Sequence, residues 1–304
     1  LRLVHGRWSY NTPLEKPALG SLNVITLNLP RLAYLAKGDE DKLLEKIAEV
    51  IDNIATVFEI HHKMVMNSYE LGLLPMCKYY GVDFNDFFRT IGVFGLTEMV
   101  SNLYMSRSET ILEHVDLVVK VLKFINGIVE KLTEVTEKPW NLELTPGESA
   151  SPRLAKLDKQ KYPDIITLGE SMGYPYYSTL IIPAVWNVPL TTRLRIESEV
   201  IRHFSGGVIT RLNIGTPLID YPRGVVELLK LAYDYGITDV DISPPFGICN
   251  RCGKYYPGMY RNLKKCRCGG DVEWYHKIVG YLAPVSNWNM TRMLEFGHRH
   301  LYEV

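Results

Sequence analysis

Hydrophobic positions in the first half of the chain recur at the three-to-four-residue spacing of helices, whereas the second half shifts to short β-branched runs broken by glycine and proline. Over 39–71, Leu43, Leu44, Ile47, Val50, Ile51, Ile54, Val57 and Phe58 mark one face behind Asp39 as an N-cap, which predicts a long amphipathic helix. Ile111, Val115, Val118, Val119, Leu122 and Ile125 predict a second long helix over about 108–134, and shorter helices are expected over 84–90 and 96–103. Residues 23–28, rich in β-branched side chains and closed by Leu29 and Pro30, predict a buried strand of a parallel sheet. Further strands are expected over 142–145, 208–214 and 240–242, with a helix over 223–235 between the last two. Alternation of this kind implies a parallel α/β layer. Residues 1–22 carry Gly6, Pro13, Pro17 and Gly20 without periodicity and read as an extended loop.

Composition narrows the function classes. A chain of 304 residues with 46% hydrophobic and 22% charged positions can bury one large core or two modest ones. Lys plus Arg and Asp plus Glu each total 34, so no basic field exists to hold a polyanion, and nucleic acid is not expected as a partner. The longest apolar stretches, 93–96 and 180–185, are far too short for a bilayer, so a soluble cytoplasmic protein is expected, without a membrane partner. The chain opens on Leu1, with residues 1–3 resembling a strand already under way, and is read as part of a larger polypeptide.

Four of the five cysteines fall close together. Cys249 and Cys252 form one pair, and after a 13-residue gap Cys266 and Cys268 form another. Two pairs in tandem suit the tetrahedron of thiolates that zinc prefers, with Gly253, Gly269 and Gly270 supplying the tight backbone. A redox-active dithiol is the competing interpretation of Cys-x-x-Cys, but a second pair favours a closed structural site. Between the pairs, Lys254, Arg261, Lys264 and Lys265 read as a solvated positive loop. Cys77 stands apart, in an apolar helix-end context that predicts an inert buried thiol.

Just beyond this cluster the chain reads Lys277-Ile278-Val279-Gly280-Tyr281-Leu282, then Ser286-Asn287-Trp288-Asn289 and a final helix over about 289–301. Taken alone, Gly280 reads as a turn glycine. In this order after a four-cysteine module, however, the segment resembles the C-terminus of the anaerobic (class III) ribonucleotide reductases, with Lys277 where that family usually has arginine. Gly20 to Ala33, Thr90 to Glu98, Thr145 to Arg153 and Pro175 to Thr179 resemble further family segments in the same order. Asn23 stands where the family usually has glycine, and the Pro175 segment departs from the family's order.

The resemblance implies the second half of a ten-stranded α/β barrel, divided into a finger-loop remainder (1–22), an α/β half-barrel (23–246), a zinc-binding module (247–272) and a glycyl radical loop with C-terminal helix (273–304). It implies a glycyl radical on Gly280, installed by an activating partner that cleaves S-adenosylmethionine with an iron-sulfur cluster. Glycine suits that role because loss of one α-hydrogen leaves a planar radical with no side chain to crowd it. A cysteine expected just before Leu1 would relay the radical to a ribonucleotide, with formate or a redoxin as reductant, in a homodimer. By the same resemblance Asn28 lies beside the ribose, where the residues alone suggest a strand-end cap, and Thr145, Glu148, Ser149 and Ala150 meet phosphate, where the residues alone also fit a plain helix cap. Other possibilities are a formate-lyase type glycyl radical enzyme, a non-catalytic zinc-ribbon protein and an inactive reductase remnant.

Overall fold

The computed structural model describes residues 20–237, 239–278 and 280–303, so most of the opening loop expected over 1–22 lies outside the described residues. Strand β1 (Ser21–Asn28) runs directly into α1 (Leu29–Ala36), where Pro30 fits the first helical turn because its missing N–H needs no partner there. Helix α2 (Glu40–Glu70) begins where Asp39 accepts a hydrogen bond from the Lys42 amide at 3.0 Å, and Glu40 and Asp41 complement the positive end of its dipole. Its buried face is Leu43, Ile47, Ile51, Ile54 and Phe58, whereas Val57 turns outward. Cys77 sits on the short α3 (Pro75–Tyr79) and is only half-buried, less enclosed than the sequence predicts.

Residues 84–90 do not form a helix. A single 3-10 turn (Phe84–Asp86) is followed by β2 (Phe88–Phe94), every residue of which is buried. Phe84, Phe87 and Phe88 imitate helical spacing, and a strand buried on both faces offers no alternation to correct the impression. After α4 (Leu96–Leu103), helix α5 (Val115–Thr136) starts later than the pattern suggests, because Thr110 and Glu113 satisfy each other locally in the preceding turn. Next come β3 (Trp140–Leu144), α6 (Ala150–Lys161), α7 (Leu190–Ile201), β4 (Thr210–Asn213), α8 (Pro222–Asp234) and β5 (Val240–Ser243).

The five strands form two parallel sheets, ordered β1-β2-β3 and β4-β5, each strand joined to the next through helices. Just ahead of β4 the chain also bonds to β3: the Gly206 amide donates to the Leu142 carbonyl at 2.7 Å and the Leu144 amide to the Gly207 carbonyl at 3.1 Å. Helices α1, α2, α4, α5 and α7 pack with β1, β2 and β3 in one apolar core, in which Phe58 meets Trp140 edge-on at 5.2 Å. At the centre of β2, Gly92 lets Thr26 and Thr145 join hydroxyls across the strand at 3.0 Å. A Cβ there would lie 1.9 Å from the Thr145 hydroxyl, so close approach demands glycine.

The remaining strands build a separate antiparallel sheet, ordered β7-β6-β8-β9, from β6 (Phe246–Cys249), β7 (Tyr255–Pro257), β8 (Val272–Lys277) and β9 (Leu282–Pro284). Helix α9 (Met290–His298) closes over it, capped by Asn289 through the Arg292 amide, and Trp288 and Phe296 join Tyr256 and Trp274 in a second, smaller core. None of the described helices is long and apolar enough to cross a membrane.

Candidate functional site

Three segments converge at the carboxyl ends of β1, β2 and β3, the edge at which parallel sheets present their ligand-binding loops. At the first, Asn28 is the N-cap of α1, its Oδ1 accepting from the Arg31 amide at 3.3 Å while its Nδ2 donates to the buried Asp158 at 2.7 Å. Asp158 also receives the Tyr177 hydroxyl at 2.8 Å and pairs with the Arg31 guanidinium. Three donors thus meet this buried side chain. The capping role suggested by the residues alone is therefore present, with the amide head held in a fixed orientation.

At the end of β3, Thr145 to Ser149 lead into α6. Ser149 caps this helix without a side-chain hydrogen bond, and no acidic residue lies in its first turn. No acidic side chain of the helix's own first turn offsets its positive end, an arrangement suited to an anion. Thr145 is partly engaged with Thr26, and Glu148 and Ala150 are half-buried beside the exposed Ser149. The Glu148 carbonyl accepts from Asn289 at 3.3 Å, which ties this loop to the start of α9.

Glu98, at the first turn of α4, is buried among Tyr176, Tyr177 and Ser178. Its Oε1 accepts from the Ser178 amide at 2.8 Å, and Oε2 has no hydrogen-bond partner among the described residues. Burial lifts its carboxyl from 4.5 to about 7, against the weaker opposing pull of the Ser178 amide. Because the unfolded chain releases this proton at lower pH than the folded protein, Glu98 erodes stability as pH rises from about 4.5 through about 7, by roughly 3 kcal/mol in all. Urea denaturation at a series of pH values is expected to show Glu98→Gln gaining on the parent by that amount between pH 4 and pH 8. A difference that stays constant with pH would remove the buried-acid assignment.

On the antiparallel sheet the four cysteines come together as the sequence predicts. Their sulfurs all lie within 4.8 Å of one another, with Cys249 and Cys268 at 3.5 Å and Cys252 and Cys266 at 3.6 Å. Tetrahedral metal–sulfur bonds of about 2.3 Å require sulfurs roughly 3.8 Å apart, so the cage fits a single ion. The Arg251 amide points at the Cys249 sulfur at 3.4 Å, and the Tyr256 hydroxyl donates to Cys266 at 3.0 Å. The Cys268 amide, then this hydroxyl, draw the Cys266 thiol down to about 6. At Cys252 the Lys254 amide favours the thiolate, but Cys268, Cys249 and Cys266 together push the thiol up to about 12. Four sulfurs this close form a group that could hold a metal ion.

Gly280 lies in an exposed bend between β8 and β9. A Cβ added there meets nothing within 4 Å among the described residues. Packing among the described residues therefore does not call for glycine at this position. Two residues earlier, Ile278 lines a cleft with Tyr176, Ser178, Thr179, Arg211 and Arg292, so the loop and the strand-end segments share one wall.

Several charged groups around this cleft were not singled out by the sequence. Glu295 pairs with Arg292 and Arg299, and although burial opposes its ionisation, the two guanidinium groups hold its carboxyl below the usual range. His276 is held at about 3 by burial and then by the Arg299 charge; neutral, it donates from Nε2 to the Ser243 carbonyl at 3.1 Å while Nδ1 accepts from Arg299 at 2.8 Å. The only sequence signal for this network was the 3- and 4-residue spacing of Arg292, Glu295 and Arg299 along the last helix.

This combination of a parallel α/β layer with a thiolate cage and a glycine-tipped hairpin has counterparts among solved structures. The chain aligns with an anaerobic ribonucleotide reductase at 27% identity and a TM-score of 0.79, covering 94% of this chain and 45% of that one. It likewise aligns with the anaerobic ribonucleotide reductase from Thermotoga maritima with glycerol in the active site (26% identity, TM-score 0.75, 91% and 44% covered). The same enzyme in complex with dATP and CTP aligns at 26% identity and a TM-score of 0.73, with 91% and 45% covered. A search of curated proteins gave no match. The profile of the anaerobic ribonucleoside-triphosphate reductases matches residues 4–302, and the chain belongs to that family. It spans a little under half the length of the solved relatives, and membership sets aside the formate-lyase type.

Proposed function

We propose that this chain is the radical-bearing part of an enzyme that reduces ribonucleotides to 2'-deoxyribonucleotides without oxygen. One juxtaposition carries the proposal: in a chain of this family, a four-cysteine cage and a glycine that no packing among the described residues explains stand on the same small sheet. The bonds between β3 and the segment before β4 support reading the two parallel sheets as one succession of five strands, the second half of a ten-stranded barrel. In the domain plan, 1–22 is the remainder of the finger loop, 23–246 the half-barrel, 247–272 the metal module and 273–304 the radical loop with its closing helix.

Cys249, Cys252, Cys266 and Cys268 would hold Zn2+, the ion best matched by four sulfurs with no open position, and its contribution is structural. Gly280 would carry the radical after an activating enzyme, using S-adenosylmethionine and an iron-sulfur cluster, removes one α-hydrogen. A cysteine thiol upstream of Leu1 then gives its hydrogen atom to Gly280 and becomes a thiyl, which takes the 3' hydrogen of the ribose. The 2' hydroxyl leaves as water after protonation, two electrons and a proton arrive from formate or a redoxin, and the thiol returns the 3' hydrogen. Asn28, oriented by Asp158, offers a neutral amide to the sugar, while Thr145, Glu148, Ser149 and Ala150 form the anion-facing turn before α6. The complex of a solved relative with dATP and CTP supports a nucleotide substrate. The assembly is expected to be a homodimer.

The test is anaerobic activation of the polypeptide that carries this chain, followed by incubation with each ribonucleotide and chromatography of the products. Deoxyribonucleotide formed only after activation supports the proposal, and none formed by a protein that has acquired a radical overturns it.

A further inference from the structure

Residues Lys277 and Leu282 pair across β8 and β9, and Gly280 lies in the bend between them. Two backbone carbonyls at the entry to this bend are gripped by arginines: Arg299 Nη1 donates to Lys277 at 3.1 Å, and Arg211 Nη1 donates to Ile278 at 3.2 Å. Arg211 is itself fixed by Asp241, whose Oδ2 accepts from its Nε at 2.9 Å, while Oδ1 accepts from the Lys277 ammonium at 2.5 Å. Asp241 thus joins the side chain of one loop residue to the guanidinium that holds the next. Burial disfavours its charge, but Lys277 and Arg211 outweigh that and keep its carboxyl below the ordinary range.

Such a cluster is a poor device for stability alone, since a buried ion pair gives little net gain over an apolar pair of similar size. What it supplies is direction: with Nε committed to Asp241, the planar guanidinium aims Nη1 at a single carbonyl. Arg211 reaches the loop from β4 and Asp241 from β5, so the clamp also ties the small sheet to the parallel strands.

We propose that Arg211 and Asp241 are positioning residues that, with Lys277, register the Gly280 loop against the end of the parallel sheet; this rests on the assignment of the radical to Gly280. Hydrogen transfer is steep in distance, so loosening the clamp misplaces the radical without removing it.

The test compares variants of the polypeptide that carries this chain, activated anaerobically, by turnover per unpaired spin and by KM for the nucleotide. Arg211→Lys keeps the charge toward Asp241 but loses the second donor, and is expected to lower turnover per spin by about tenfold or more with KM unchanged. Lys277→Met, at a half-exposed side chain that folding tolerates, is expected to lower it by about threefold, the scale of a half-exposed ion pair, and Lys277→Arg to restore it. Should Arg211→Lys fail to fold, the Lys277 pair decides by the same criterion. Turnover per spin equal to the parent in every folded variant, or a rise in KM with turnover per spin held, overturns the positioning role. A parent protein that acquires no radical, or one that survives Gly280→Ala, instead overturns the assignment beneath it.

Discussion

Gly280→Ala is expected to leave the fold intact and reduce deoxyribonucleotide formation by at least about 10³-fold, the scale at which one indispensable member of a catalytic unit is lost. The two halves of that expectation have separate causes. Residue 280 is exposed and an added Cβ meets nothing within 4 Å among the described residues, so alanine introduces no overlap with them. A change in unfolding free energy within about 0.5 kcal/mol is expected, as for an ordinary surface substitution. The chemistry, by contrast, depends on an α-carbon without a substituent. Thermal denaturation and turnover measured on the same preparation separate the two. An alanine variant that unfolds would return Gly280 to the status of a structural turn, and one that retains turnover would remove it from the mechanism.

Removal of the metal proposed for the four-cysteine cage is expected to have the larger effect on structure. The antiparallel sheet has a small core of its own, in which Cys249 and Cys266 are buried beside Tyr256, Trp274 and Ile278. A core of that size holds a fold only with a staple, and four-thiolate zinc sites contribute about 10–16 kcal/mol of apparent binding free energy at neutral pH. Strands β8 and β9 belong to the same sheet, so chelation should release the Gly280 loop along with the cage. Hydrogen exchange before and after treatment with a chelator should show protection lost across 246–284 while α2 and α5 keep theirs. Cys266→Ser should behave like the stripped protein, because a serine hydroxyl does not ionise to take the place of a thiolate. Retained protection in metal-free protein would show that the sheet stands without the ion.

What the sequence disclosed followed the physics of each signal. The α2 helix was legible because its buried face repeats at helical period and Asp39 sits where a cap is needed. The cage was legible because paired cysteines leave few alternatives. Strand β2 was not, since all of its residues are buried and Phe84, Phe87 and Phe88 imitate a helix. Helix α7 escaped notice because its buried face includes the charged Arg193 and Glu197, and strands β6 to β9 because they are short. The contacts of Asp158, Glu98, Arg211 and Asp241 were invisible for a different reason. Each residue acts through partners brought close by the fold from far along the chain, as when Asn28 meets Asp158 or Arg211 meets Ile278, and no local spacing encodes such a meeting. Asn28 is instructive: its capping geometry could be read from the residues, whereas its hold on Asp158 could not.

The most direct test is electron paramagnetic resonance of the anaerobically activated polypeptide, prepared with ordinary glycine and with glycine deuterated at the α-carbon. A radical on Gly280 keeps one α-hydrogen, so the signal should be a doublet that collapses toward a single line on deuteration and is absent from Gly280→Ala. A signal whose splitting ignores the deuterium, or that persists in Gly280→Ala, would contradict the account.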